Sequence, residues 1–302
     1  MTTEQPLPDF VARTRLAIDE VSQRRVFFVV GCQKSGTTWV QKLLNAHRQV
    51  SCRGESHLCD VLAPLLQQAC RQYNAPGKCN HKLDEDDLLA MLRTVMDRRL
   101  LAGIERPQRG ADARGEHVVA VGDKTPEAAL AIPLLDRLYP GARFIHVIRD
   151  GRDGAASGWA HLERQNETGQ FASFAAYAGY FAQHHWKPYI TAARTAGESL
   201  GERYIEVRYE SLLEAPAEQA RRLFDALGAD SSPGAIEPAV AAASFKKQSG
   251  GRAAGDEDRA SHMRKGIVGD WRNTFDAEAE RTFDQHAGDL LQQLGYAEPA
   301  AV

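Results

Sequence analysis

The sequence predicts an α/β protein: a P-loop-type, doubly wound parallel sheet flanked by helices. Three observations carry this expectation. First, four short runs rich in β-branched and aromatic residues, at 26–30, 118–121, 144–148 and 204–207, are continuously apolar, as parallel strands covered on both faces must be. Second, helical patterns separate them, and alternation of strand and helix is the signature of the doubly wound class. Third, the first run passes through a glycine-rich turn, GCQKSGTTW, straight into a helical pattern. All 302 residues are expected to form one domain (1–302), a length that buries a sizeable core.

Residues 1–24 read as an N-terminal segment with acids scattered through it and no apolar run of the kind a secretory leader needs. The apolar run at 26–30 is far too short to span a bilayer, so a cytoplasmic chain without membrane insertion is expected. In 84–101, Leu88, Leu89, Leu92, Val95, Met96 and Leu100 recur at helical spacing behind an acidic first turn. A further helix follows Pro216, with Leu223, Phe224 and Leu227 on one face and Gly228 as its C-terminal cap. Residues 106–115 read as a surface loop, and the glycine-rich, charged stretch 248–262 as either a candidate lid or a solvated linker.

Composition narrows the function classes. A net charge of −3 supplies no global basic field, so a nucleic-acid partner is not expected and any anion must be held by local chemistry. Cys32, Cys52, Cys59, Cys70 and Cys79 are odd in number and form no C-x-x-C pair, which points to reduced thiols rather than disulfides or zinc. No His, Cys or Asp spacing suggests a metal centre, and His184–His185 beside Trp186 makes no ligand set.

Gly31 and Gly36 have phosphate-loop spacing, where backbone N–H groups and a helix N-terminus cradle an anion. The G-K-[ST] ending of nucleotide hydrolases is missing: Thr37 and Thr38 follow Gly36, and the lysine stands earlier, at Lys34. Further on, ARFIHVIRD brings Arg149 to a strand's C-terminal end, and Ser157 lies two turns into the next helical stretch. Near the C-terminus, RKGIVGDW sets Arg264 and Lys265 beside the flexible Gly266.

These segments resemble the sulfotransferases that use 3′-phosphoadenosine 5′-phosphosulfate (PAPS) as donor. QKSGTTW is similar to their 5′-phosphosulfate loop, and RKGIVGDW matches their R-K-G-x-x-G-D-W signature at every fixed position. The resemblance implies that Lys34, Ser35, Gly36, Thr37 and Thr38 hold the 5′-phosphosulfate, with Trp39 near the adenine. It implies that Arg149 and Ser157 bind the 3′-phosphate, joined by Arg264, Lys265 and Gly266. VRYESL and ASFKKQSG resemble the family's adenine-side segments, which would set Tyr209, Ser244 and Phe245 around the base. Arg152 and Asp153 are left as surface ion pairs. A sulfuryl group carries less negative charge than a phosphoryl group, so no metal clamp is implied; the ammonium of Lys34 would stabilise charge on the bridging oxygen instead.

One departure bears on the general base. Many cytosolic members place a histidine in a K-T-H segment; the matching stretch here, GDKTPEAAL, has Pro126 in that position. Glu55-Ser56-His57 resembles the E-x-H form of the heparan enzymes, so Glu55 is the first candidate, Asp123 the second and His57 the third. Lys124 lies where tyrosylprotein enzymes supply a lysine to the reacting centre. The expected reaction is sulfuryl transfer from PAPS to a hydroxyl or amine of a small-molecule acceptor, releasing PAP. Segments 58–80 and 161–185 are expected to frame the acceptor pocket. The competing expectations are a P-loop kinase or nucleotide hydrolase, and a catalytically silent PAP or PAPS binder. The family's dimerisation segment corresponds to 272–281, where Asp276, Ala277 and Arg281 depart from its pattern, leaving the oligomeric state open.

Overall fold

The computed structural model describes residues 8–77, 80–105, 118–258, 261 and 264–297; the loop expected at 106–115 lies outside them, as do Cys79 and part of the 248–262 stretch. The chain runs α1 (Asp9–Ser22), β1 (Arg25–Gly31), α2 (Thr37–Ala46), β2 (Val50–Gly54), α3 (Ala63–Tyr73), α4 (Glu85–Glu105) and β3 (Ala120–Lys124). It continues through α5 (Ile132–Leu138), β4 (Arg143–Ile148), α6 (Gly151–Gln165), α7 (Phe174–Phe181), α8 (Lys187–Leu200) and β5 (Tyr204–Arg208). The last helices are α9 (Tyr209–Glu214), α10 (Pro216–Leu227), α11 (Pro233–Ala243), α12 (Phe245–Gln248) and α13 (Ala277–Gln293).

The five strands form one parallel sheet in the order β2-β3-β1-β4-β5. Both of its faces are covered because alternate strand residues point to opposite sides. Val26, Phe28, Val30, Phe144 and Ile148 join the core formed with α1, α4, α6, α7, α8 and α13. Phe27, Val29, Ile145, Val147 and Val207 join the core formed with α2, α9, α10 and α11. This explains the unbroken apolar runs from which the sheet was expected.

Two strands differ from expectation. β2 has no apolar run to announce it, since Val50–Gly54 reads VSCRG. It forms because it can extend the sheet along β3, with Val50 opposite Ala120 and Gly54 opposite Lys124. Its outer edge is closed by Asn45 of α2, whose amide donates to the Cys52 carbonyl (2.9 Å) and accepts from the Cys52 N–H (2.7 Å). β3 occupies Ala120–Lys124 rather than 118–121, so Asp123 and Lys124 are strand residues at its C-terminal end. Elsewhere α4 buries Leu92, Met96 and Leu100 as its spacing predicts but leaves Val95 exposed, and α10 ends on Gly228 at φ 67°.

β1 and β4 are neighbours, and the chain leaves β1 toward β2 on one side and β4 toward β5 on the other. Such a switch point opens a crevice at the strands' C-terminal ends. All five ends emerge on one edge of the sheet.

Candidate active site

A cavity of about 770 Å³ lies at this edge. Its lining draws on every strand end: Lys34, Gly36, Thr37, Thr38 and Trp39 after β1, Glu55 after β2, Lys124 ending β3, Arg149 after β4 and Tyr209 after β5. Ser157 of α6, Phe245 of α12 and Arg264, Lys265 and Gly266 complete it. The sheet topology therefore brings together residues more than 200 positions apart.

The turn after β1 is shaped for an anion. Lys34 and Gly36 take left-handed conformations, φ 67° and 94°, which turn the chain into α2 and leave the N–H groups of Thr37 and Thr38 without helical acceptors. A side chain at Gly36 would both be strained and meet the Tyr209 ring at 2.4 Å. Ser35 is buried in the turn and does not line the cavity. Trp39 donates its indole N–H to the Ala243 carbonyl at 2.8 Å and meets Tyr209 edge-on. Burial, reinforced by the charge of Arg164 and opposed by Glu55, lowers Lys34 to about 8.

Arg149 ties three segments together. Its guanidinium donates to the carbonyls of Lys34 and Ile267, both at 3.2 Å, and lies over the Tyr209 ring at 4.3 Å. Its Nε is buried with no hydrogen-bond partner among the described residues. A buried cationic donor in that state costs stability unless a ligand completes it. Behind it, Asp153 is fully buried and accepts from the Gly269 N–H (2.8 Å) and the Trp271 N–H (2.9 Å), while Arg152 stacks on Trp271 at 3.9 Å. These two residues, expected to form surface ion pairs, are ion-paired away from the surface, Arg152 to Asp150 at 2.7 Å and Asp153 to Arg149 at 3.7 Å, and they also fasten the C-terminal segment to α6. The correction has a physical cause: the GDW turn exposes backbone donors that only a buried acceptor can satisfy.

Arg264 and Lys265 are both ion-paired to the buried Asp270, Lys265 at 2.8 Å, and Arg264 also to Glu257 at 2.8 Å. Burial opposes the charge of Asp270, but hydrogen bonds from Lys265, Asn273 and Arg264 outweigh it and hold the carboxyl at about 2. Gly266, at φ 65°, lies against the Phe245 ring, which a side chain there would meet at 2.3 Å. The preceding stretch is not a loose linker where it is described. Gly255 N–H donates to Lys265 O (2.9 Å), Asp258 N–H to Arg264 O (3.1 Å) and Arg252 to Arg264 O (2.9 Å).

The three candidate bases occupy different settings. Glu55 lines the cavity, pairs with the buried Lys124 and, at φ 38°, holds a left-handed conformation uncommon for its residue type. The Lys124 hydrogen bond, partly opposed by burial, lowers its carboxyl below the usual range, and the charges of His57 and Lys34 add to this. Asp123 does not line the cavity. It is buried, accepting from Ser56 Oγ (2.9 Å) and Thr125 Oγ1 (2.6 Å). His57 is also outside the lining and bonds Asp60 at 2.7 Å, which raises its pKa. Ser244 caps α12 and does not line the cavity. The sequence reading missed Lys42 and Glu127, which do, while His161 comes from the segment 161–185 expected to frame the acceptor pocket. Only the order of their segments could have signalled Lys42 and Glu127, since neither belongs to a motif.

The profile of the sulfotransferase family matches residues 27–233, and the chain belongs to that family. It is 30% identical over 128 residues to human protein-tyrosine sulfotransferase 1, a match covering 42% of this chain and 32% of that protein. It is 24% identical over 199 residues to a Caenorhabditis briggsae protein described as a putative protein-tyrosine sulfotransferase, covering 66% and 64%. The chain thus spans between a third and two thirds of the length of these relatives. Bovine sulfotransferase 1A1 is 24% identical over 268 residues, 84% of this chain and 79% of that one. Mouse sulfotransferase SULT7A1, solved in complex with PAP, shares the fold with a TM-score of 0.57 at 16% identity, covering 93% and 91% of the two chains. No helix among the described residues is long and apolar enough to cross a membrane.

Proposed function

We propose that the chain transfers a sulfuryl group from PAPS to a hydroxyl or amine of a small-molecule acceptor and releases PAP. The observation that carries this reading is Arg149, which joins the Lys34 turn, the Tyr209 ring and the Ile267 segment in one cavity while its own Nε stays unpartnered. A nucleotide phosphorylated on both sides of its ribose supplies acceptors for two such separated groups of donors. The 3′-phosphate goes to Arg149, Ser157, Arg264, Lys265 and Gly266, and the 5′-phosphosulfate to Lys34, Gly36, Thr37 and Thr38 with Ser35 shaping the turn. Trp39, Tyr209 and Phe245 flank the base.

Lys34 holds its ammonium where charge develops on the leaving oxygen, and a fixed cation in a partly buried site is most effective there. Glu55 takes the acceptor proton. Lys124 keeps Glu55 ionised and oriented, whereas Asp123 and His57 face their own partners outside the cavity. No metal enters the proposal. A cytoplasmic setting belongs to it, because the free thiols Cys32, Cys52, Cys59 and Cys70 suit a reducing compartment. The test is calorimetry with PAP, AMP and ATP, followed by transfer assays with labelled PAPS. Binding of PAP at least tenfold tighter than AMP is expected, since each charge-assisted phosphate contact is worth about 1.5–3 kcal/mol. Equal affinities would end the assignment, and magnesium-dependent ATP turnover would replace it with a kinase.

A further inference from the structure

Glu55 stands just beyond the last residue of β2, where its own N–H still donates to the Lys124 carbonyl at 2.8 Å and extends the ladder with β3. The backbone then leaves the sheet. Glu55 at φ 38° and His57 at φ 49° both lie in the left-handed region, which residues with a Cβ occupy only where their surroundings hold them. The hold comes from β3 and the residue after it. Ser56, between the two, donates its N–H to Thr125 Oγ1 at 3.1 Å and to Asp123 Oδ2 at 3.4 Å, and its hydroxyl to the same Oδ2 at 2.9 Å. Thr125 Oγ1 in turn donates to that oxygen at 2.6 Å. The other oxygen of Asp123, buried and without a hydrogen bond among the described residues, faces the Arg99 guanidinium at 3.7 Å. Arg99 donates to the Gly54 carbonyl at 3.0 Å. One buried carboxylate therefore governs the residues immediately before and after Glu55. Side chains alternate along a strand, so Asp123 acts from behind while its neighbour Lys124 meets the Glu55 side chain from within the cavity.

We propose that Asp123 is a positioning residue which, through Ser56, Thr125 and Arg99, sets the backbone at Glu55 and so aims its carboxylate at the acceptor. This inference rests on the sulfuryl-transfer reading above, in which Glu55 takes the acceptor proton, and it names what holds that base in place. Lys124 fixes only the far end of a side chain with several rotatable bonds; the backbone that carries the side chain must be fixed separately. Misplacement by about 1 Å at a reacting centre costs on the order of 10²-fold in rate. Asp123 does not line the cavity and touches neither the acceptor nor the nucleotide, so its effect on transfer passes through Glu55.

The experiment uses the full chain and two charge-neutral variants, Ser56→Ala and Thr125→Val. Both loosen the bracket while leaving unaltered the charged groups around Glu55, namely Lys124, Lys34 and His57, with Asp123 and Arg99 behind it. The Glu55 carboxyl is followed by carbon-13 NMR through a pH titration, its signal assigned by its loss in Glu55→Gln. Wild type is expected to titrate below the usual glutamate range, because Lys124 hydrogen-bonds the carboxylate. Both variants should titrate closer to that range, as a loosened Glu55 spends less time on Lys124. Thr125→Ser, which keeps the hydroxyl, should restore the wild-type titration. In transfer assays with labelled PAPS and a panel of phenols and primary alcohols, Thr125→Val should lower kcat at least about tenfold. PAP affinity should stay nearly intact, and PAP calorimetry on every variant identifies misfolding. Asp123→Asn should lower kcat likewise in wild type and cause no further loss in a Glu55→Gln background, since its effect passes through that residue. A Glu55 titration unmoved in both neutral variants, an unchanged kcat in Thr125→Val, or an equal loss from Asp123→Asn in both backgrounds would each overturn the proposal. If wild type binds PAP yet transfers to no acceptor, the transfer reading fails, and the titration alone decides whether the bracket holds Glu55.

Discussion

In the proposed transfer Lys34 has the most demanding physical task, because it must remain protonated in a place that disfavours charge. Burial and the nearby Arg164 bring it to about 8, and the group is useful in transfer only as an ammonium. Raising the pH through 8 therefore removes the stabilising charge, and kcat should fall on the alkaline side with an apparent pKa near 8. Glu55, the proposed base, behaves in the opposite sense: in that role it acts as the carboxylate, and Lys124 lowers its pKa from the usual value, so the acid limb should lie below the ordinary glutamate range. Arg164→Gln should move the alkaline limb upward by only part of the displacement, since burial is the larger cause; a limb that stays put would show that Lys34 does not set it. Glu55→Gln should cut kcat by roughly 10²–10⁴, the range for a general base, while PAP affinity measured by calorimetry stays nearly intact. An unaltered rate would pass the role to another group, with Asp123 and His57 requiring a rearrangement to reach the cavity from their present bonds to Thr125 and Asp60.

At the scale of elements, the C-terminal signature depends on α6 as much as on its own cations. Asp153 accepts two backbone N–H groups from Gly269 and Trp271 while excluded from water. Asp153→Asn keeps the volume but turns one acceptor into a donor facing a donor, so it should destabilise the fold by about 2–4 kcal/mol. Thermal unfolding should register this as a loss of roughly 3–6 °C. PAP affinity should fall as well, because Arg264, Lys265 and Gly266 are carried on the segment that Asp153 fastens; unchanged affinity would mean that they are positioned independently. The sequence showed the two ends of this arrangement and hid the middle. KSGTTW and RKGIVGDW are legible because their backbone geometry restricts residue choice at many adjacent positions. Asp153 follows no such pattern, since its partners are backbone groups 116 and 118 residues away. β2 was hidden for a related reason: VSCRG has little strand character, and its pairing depends on Asn45 and β3. β3 was displaced because Gly122, Asp123 and Lys124 are poor strand formers that tertiary burial overrides. Glu127 illustrates the remaining gap, as a lone glutamate in a sequence does not reveal that the fold will set it on the cavity wall.

For the molecule as a whole, the reversal of strand order at β1 makes ligand binding and folding stability parts of one equilibrium. The cavity lining comes from chain segments between Gln33 and Asp270, so a ligand that contacts both ends links most of the sequence. Such a ligand binds the native state alone and stabilises it by RT ln(1 + [L]/Kd), about 2.7 kcal/mol at a hundredfold excess over Kd. PAP at saturating concentration should therefore raise Tm by several degrees, whereas AMP at the same concentration should raise it much less, because it lacks the 3′-phosphate proposed to complete Arg149. Adenosine 5′-phosphosulfate, which is PAPS without the 3′-phosphate, makes the same comparison on the donor side. Arg149→Ala should weaken PAP by about 10–100-fold, the scale of a lost charge-assisted contact, and adenosine 5′-phosphosulfate by far less. Arg149 also bridges Lys34 and Ile267, so the variant should start from a lower Tm and recover little of it on adding PAP. Equal losses for the two nucleotides would assign Arg149 to the framework alone and would place the 3′-phosphate elsewhere in the cavity.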